Sequence, residues 1–285
     1  MSPLYKVRDW IDVSQILCKE LCLNPHPGAI KLLEENPHII EWNLLSKNPE
    51  AIDLLRHNPH KINWRLLCEN PSAVPMLAQN PDKIDWKILS INPAAVPLLK
   101  QNPKEIYWKF LTSNRSPEAV ELLAQNPEKI NWMWIAKNPT AIEIIRQNLD
   151  KICWLVLSEN SAAMDLLEQN PHKINYYWLA KNPHPRAIEL YENIYERYKK
   201  EGHYLNLDIL NSYHLSKNPA AIQFLERNRE LIEWQELARN PEIFVLDYDR
   251  MRRSRRELHE ELIATLFHPS RVEAFLEAGG DLDDM

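Results

Sequence analysis

The chain has 285 residues, of which 45% are hydrophobic and 26% charged, with a formal net charge of -6. That length suits one or two domains or one extended array, and the negative balance excludes a generally basic nucleic-acid coat while leaving room for a local basic stripe. Four glycines (Gly28, Gly202, Gly279 and Gly280) against 21 prolines exclude a glycine-rich phosphate loop, a dinucleotide fingerprint and a nucleophile elbow.

In chain order, residues 1–15 read as an N-terminal cap. Their amphipathic stretch begins at Val7, runs on to Leu17 and carries Trp10. The opening MSPLYKVRDW has no apolar leader, four scattered cysteines suggest no disulfide framework, and no apolar run is long enough for a bilayer. A cytoplasmic protein without a membrane partner is expected.

Residues 16–246 form a tandem array. Asn-Pro occurs 14 times, and Asn36, Asn48, Asn58, Asn70, Asn80, Asn92 and Asn102 are alternately 12 and 10 residues apart, a period of 22. One column holds Trp42, Trp64, Trp86, Trp108, Trp132, Trp154, Tyr176, Ser212 and Trp234, with Cys18 as its first member, so there are ten copies. Each period has a short half such as Asn48–His57 and a long half such as Asn58–Glu69. Asn is a strong N-cap and Pro suits the first helical position, so each Asn-Pro opens a helix. Trp64, Leu67 and Cys68 share one helical face. Four residues after the Trp column comes a small residue (Cys22, Ser46, Cys68, Ser90, Thr112, Ala136, Ser158, Ala180, Ser216, Ala238), which implies close helix–helix contact. The alternation of Ile62, Trp64 and Leu66 also admits a strand, as in a leucine-rich-repeat horseshoe; the adjacent Leu67-Cys68 pair and the proline-opened connections favour helices.

The expected fold is therefore all-α: a right-handed or curved α-solenoid of ~22-residue two-helix repeats with terminal caps. With helix layers ~8–10 Å apart it would be a curved rod on the order of 100 Å long, without a deep pocket. An irregular insertion at 186–211 predicts a longer helix over Arg186–Lys200, with Ile188, Tyr191, Tyr195 and Tyr198 on one side, ended by Glu201-Gly202-His203. It either protrudes to bind something or packs on its own array. Residues 247–285 predict capping helices with an Arg cluster (Arg250, Arg252, Arg253, Arg255, Arg256) and an apolar face of Leu258, Leu262, Ile263, Leu266 and Phe267. His268-Pro269 restates the Asn-Pro opening, and Gly279-Gly280 precedes an acidic tail.

No catalytic constellation stands out from the columns, and no enzyme activity, cofactor or metal is expected. Cys18, Cys22 and His26 have metal-like spacing, yet both cysteines fall in repeat columns that suit core packing. The Trp column suits core burial or base stacking. Candidate binding residues are two basic columns, Lys61, Lys83, Lys129, Lys151 and Lys173, and Arg65, Lys87 and Lys109, together with Arg252, Arg253, Arg255 and Arg256. They read either as solvated, locally paired cations or as a polyanion site.

Tandem Asn-Pro-x-Ala-Ile-x-Leu-Leu and Asn-Pro-x-Lys-Ile-x-Trp-x-x-Leu-Ser, as in Asn80–Leu99, with the ending Arg252-Arg253-x-Arg255-Arg256-Glu257-Leu258 through His268-Pro269-Ser270-Arg271, resemble the Asn-Pro-rich repeat proteins of giant double-stranded DNA viruses. A more distant likeness is to leucine-rich-variant repeats. The viral resemblance covers nearly the whole chain and implies a place in infected host cytoplasm or the virion. Three functions are expected in turn: a protein–protein interaction scaffold, a nucleic-acid binder through the basic columns, or a structural or minor capsid component.

Overall fold

The structure, a computed structural model, describes residues 4–200, 211–268 and 271–272. Among these the chain is all-α apart from one antiparallel pair of short strands, β1 (Tyr5–Val7) and β2 (Phe244–Leu246), in which Lys6 faces Val245. The chain divides into two compact units, residues 9–243 and a smaller one made of 1–8 with 244–285. The two paired strands both belong to the smaller unit.

In the larger unit the sequence period becomes a recurring set of short elements. After Asn48 comes a 3-10 turn, Pro49–Ala51, and the helix Ile52–His57; after Asn58 come the turn Pro59–Lys61 and the helix Trp64–Leu67. Ile62 and Asn63 between them are extended, and Trp64 already starts the helix. The alternation of Ile62, Trp64 and Leu66 is thus no strand. Asn63 itself caps that helix, its Oδ1 accepting from Leu66 N at 3.1 Å. Leu55, Leu67, Cys68, Ala73 and Leu77 are fully buried between neighbouring copies.

The asparagines of the Asn-Pro pairs do two different jobs, where the sequence suggested one. Those opening the long half, such as Asn58 and Asn102, lie at φ near -130° and turn back: Asn102 Nδ2 donates to Leu98 O at 2.9 Å, ending the preceding helix. Those opening the short half are buried. Asn92 Oδ1 accepts from Ala94 N at 3.0 Å, the expected cap, while Nδ2 donates to Cys68 O at 2.9 Å and Asn70 O at 3.0 Å in the preceding copy. The small column is also more than a spacer. Ser90 Oγ accepts from Tyr107 N at 3.0 Å, and Cys68 Sγ from Asp85 N at 3.4 Å, each in the next copy.

The bridging asparagines are Asn24, Asn48, Asn70, Asn92, Asn114, Asn138, Asn160, Asn182, Asn218 and Asn240. Each of the last nine reaches back to the copy before it. Asn24, in the first copy, donates to Ala238 O at 2.8 Å and Asn240 O at 2.9 Å, in the last. The circuit is therefore closed. The open rod expected above is corrected: the first and last copies are each other's neighbours, and no end is left for terminal caps to cover. Val13–Ile16, expected to cap, instead packs on Trp234–Leu237 across the seam.

The insertion leaves the circuit undisturbed, since Asn218 bonds to Ala180 O and Asn182 O as if its 36-residue separation were 22. Its helix, Pro185–Lys200, buries Ile188, Tyr191 and Tyr195. Tyr191 and Tyr195 pack edge-on to Phe224, and Tyr195 OH donates to Glu230 at 3.0 Å. It packs on its own array. In the smaller unit the helix Tyr248–Leu266 is capped by Asp247, which accepts from Arg250 N at 2.9 Å. Of its expected apolar face, Leu258, Leu262, Ile263 and Phe267 are exposed. Glu201-Gly202-His203, Pro269-Ser270 and the tail with Gly279-Gly280 lie outside the described residues.

A buried carbonyl left unpaired costs about 1–3 kcal/mol, so Asn92→Ala should lose about 2–5 kcal/mol in urea denaturation, and Asn102→Ala only about 1 kcal/mol. Because the circuit is closed, Asn24→Ala should cost as much as Asn92→Ala; a cost as small as that of Asn102→Ala would refute closure.

Candidate functional site

The first basic column is largely taken up by the fold. Lys61 Nζ lies 4.4 Å from the Trp42 ring centroid, Lys151 4.9 Å from Trp132 and Lys173 4.0 Å from Trp154, each lysine covering the aromatic of the preceding copy. Such contacts contribute about 0.5–1 kcal/mol at exposed sites. The Trp rings are half-buried, neither full core nor open platforms. Lys83 pairs with Asp82 at 3.4 Å, and Lys129 is exposed. In the second column Arg65 pairs with Asp85 at 3.3 Å, Lys87 lies over Tyr107 and Phe110, and Lys109 lies 5.3 Å from the Trp134 centroid. Arg252, Arg253 and Arg255 are exposed on Tyr248–Leu266, where Arg256 pairs with Glu260 at 2.8 Å.

That second column continues into residues the sequence reading passed over. The place directly after the Trp column holds Asn43, Arg65, Lys87 and Lys109 in four copies, then Met133, Leu155, Tyr177 and Tyr213 in the next four. The helix fixes this place toward solvent because the residues two and three further on, such as Leu67 and Cys68, are the buried ones. The four apolar side chains are 56%, 53%, 44% and 46% exposed. The signal was visible in the sequence, but only the basic members of the column had drawn notice.

Beside this arc runs a cationic one, four residues further along each helix. Lys137 lies over Trp134, Lys181 3.8 Å from the Trp178 centroid, and Lys217 4.0 Å from that of Tyr213. Lys217 and Arg239 share one carboxylate, Glu236, at 3.6 and 3.3 Å. The same register in four successive copies (Ile91, Ser113, Lys137 and Glu159) lines a hollow of about 420 Å³ together with Arg115 and Trp134. This side of the copies is therefore concave there.

His214 sits under the arc, 7% exposed, edge-on to Tyr177 and Tyr213 with both centroids at 5.1 Å. Neither ring nitrogen has a hydrogen-bond partner. Burial, reinforced by the charges of Lys181, Lys217 and Arg239, pulls its pKa down to about 4. Burial also lowers Lys181, against Glu159 and with Lys137, and lowers Lys217.

The cysteines serve the core. Cys22 Sγ accepts from Glu41 N at 3.3 Å, burial raises Cys18, Cys22 and Cys68, and His26 Nδ1 caps a helix through Gly28 N at 3.0 Å. Among the described residues no group of three His, Cys, Asp or Glu could hold a metal ion, and no helix is long and apolar enough to cross a membrane. No family model, curated protein or solved structure matches the chain.

The fold favours neutral His214, so stability is full above its ordinary value of 6.5 and falls as pH drops toward 4, where the unfolded chain alone is protonated. The loss attributable to this residue is about 3 kcal/mol. His214→Phe, which places there the residue type of Phe110, should retain that stability when urea midpoints are compared between neutral and mildly acidic pH. An unchanged pH slope would show that the imidazole already titrates normally.

Proposed function

We propose that this chain is a non-enzymatic α-solenoid, its repeats joined end to start, that serves as a protein–protein interaction scaffold. One observation carries the reading: Met133, Leu155, Tyr177 and Tyr213 form an exposed apolar series at one fixed place of four consecutive copies. Singly scattered exposed apolar residues are ordinary, whereas these four recur at the same exposed place of successive copies. The resemblance to Asn-Pro-rich repeat proteins of giant viruses supports a place in infected host cytoplasm or the virion, where a minor capsid role is the structural variant of the same reading.

A second reading, nucleic-acid binding, is favoured by the exposed Arg252, Arg253 and Arg255 and by Lys129. It requires affinity that falls steeply with salt and is weakened by Lys83→Glu with Lys129→Glu.

The test is a pull-down of tagged protein from producing cells, with and without nuclease, read by mass spectrometry. A discrete protein partner that survives nuclease is expected; loss of all bound material on nuclease treatment would replace the scaffold reading by the nucleic-acid one. Stoichiometric abundance in purified particles would identify the structural variant. Turnover of a substrate, abolished by one side-chain change, would overturn the non-enzymatic reading.

A further inference from the structure

The apolar series and the cations beside it are parts of one surface. Tyr177 and Lys181 belong to one helix end, and Lys181 Nζ lies 5.4 Å from the Tyr177 centroid and 3.8 Å from that of Trp178. Tyr213 and Lys217 repeat the pair in the next copy at 4.0 Å. The charges do not balance. Lys137, Lys181, Lys217 and Arg239, with Arg115 beside Lys137, stand against Glu159, Glu233 and Glu236, and Glu236 is already shared by Lys217 and Arg239. Beneath them His214 offers a buried imidazole with no partner for either nitrogen. A half-buried excess of positive charge beside exposed apolar side chains is complementary to a ligand that is itself acidic and apolar.

We propose that the arc running from Met133 to Arg239 is the docking site for an acidic protein segment, whose apolar side chains pack on Met133, Leu155, Tyr177 and Tyr213. Its carboxylates would be received by Lys181, Lys217 and Arg239. The inference rests on the scaffold reading above and gives its partner a chemistry. Nucleic acid fits this arc less well. Stacking a base requires an open ring face, but the rings of Trp134, Trp178 and Tyr213 already carry the lysines, and Met133 and Leu155 have no ring. The expected direction of charge is also specific. Carboxylates can replace the water that now solvates these cations and accept their N–H groups as charge-assisted hydrogen bonds, whereas a basic segment would meet like charge.

The probe is a displayed library of short random peptides, panned on the full chain, with the enriched peptides then synthesised and titrated by fluorescence anisotropy. Enrichment of sequences combining Asp or Glu with Leu, Phe or Trp is expected. Lys181→Gln and Leu155→Ser should each weaken them roughly tenfold, and Lys181→Arg should retain most of the affinity. Circular dichroism melts check that each variant is folded; Leu155→Ser changes a side chain that is 53% exposed, so its fold is expected to be unaffected. No enrichment, enrichment of neutral or basic peptides, or binding indifferent to both variants would overturn the proposal. So would competition by a thymidine oligonucleotide that is lost in the same variants, which would assign the arc to single-stranded nucleic acid. A nuclease-resistant partner from the pull-down that binds both variants undiminished would sink this inference and leave the scaffold reading standing.

Discussion

Everything in the larger unit depends on one side chain that makes three hydrogen bonds at once. At the start of each short half, Asn Oδ1 accepts an amide two residues ahead while both hydrogens of Nδ2 are given to carbonyls of the preceding copy. The acceptor organises the turn of its own copy, and the two donors fasten that turn to its neighbour. No other side chain of this size offers both: a carboxylate has no donor, and a hydroxyl has one. Because the site is buried, each bond lost would leave a polar group without water to replace it. Proline after the asparagine sets the backbone of the turn and needs no amide partner. Asn160 keeps all three bonds with Ser161 in that place, so it is the asparagine that carries the linkage.

A linkage that is the same at every step has a geometric consequence. Each copy is placed on the last by the same pair of bonds, so any turn per step accumulates, and after ten copies it brings Asn24 to the carbonyls of Ala238 and Asn240. Closure satisfies at the seam the groups that an open array would expose at both ends, which removes the need for capping that linear repeats have. The step also tolerates insertion. The chain leaves the array after Asn182 and returns before Asn218 with both bonds intact, while Pro185–Lys200 folds back on Ile222–Arg227 through Tyr191, Tyr195 and Phe224.

The period, the ten copies and the helical character were legible in the amino-acid order because each follows from a local rule: proline positions, capping residues and apolar spacing. The two roles of asparagine were not, since Asn58 and Asn70 each precede a proline and are told apart by backbone angles, near -130° and 56° in one and -80° and 114° in the other, and by the carbonyls that Nδ2 reaches. Closure was hidden for a different reason. It depends on the sum of ten small rotations, and no single copy reveals that sum. The small column was read for size alone, so the amides received by Ser46, Ser90 and Ser158 went unnoticed. The lysine column read as solvated, locally paired cations or as a polyanion site, and its contact with aromatic rings was hidden because the ring it covers belongs to the preceding copy.

The place after the Trp column is where fold and function separate. Its side chain points to solvent in every copy from Asn43 to Gln235, so the architecture fixes its position and leaves its chemistry open. Asn43, Arg65, Lys87 and Lys109 show that polar residues are accepted there. Met133 and Leu155 therefore meet no structural demand for apolar character, and exposing them to water brings the fold no gain, while Tyr177 and Tyr213 flank buried His214 and still leave nearly half of each side chain exposed. The four are also consecutive, lying on the side where Lys137, Lys181, Lys217 and Arg239 stand in excess over their carboxylates and His214 is left unpaired. A column that the fold holds in place and leaves largely exposed is available to a partner, and its composition changes along the circuit from basic to apolar. Recognition would then be confined to one sector of an array whose backbone is nearly the same all the way round.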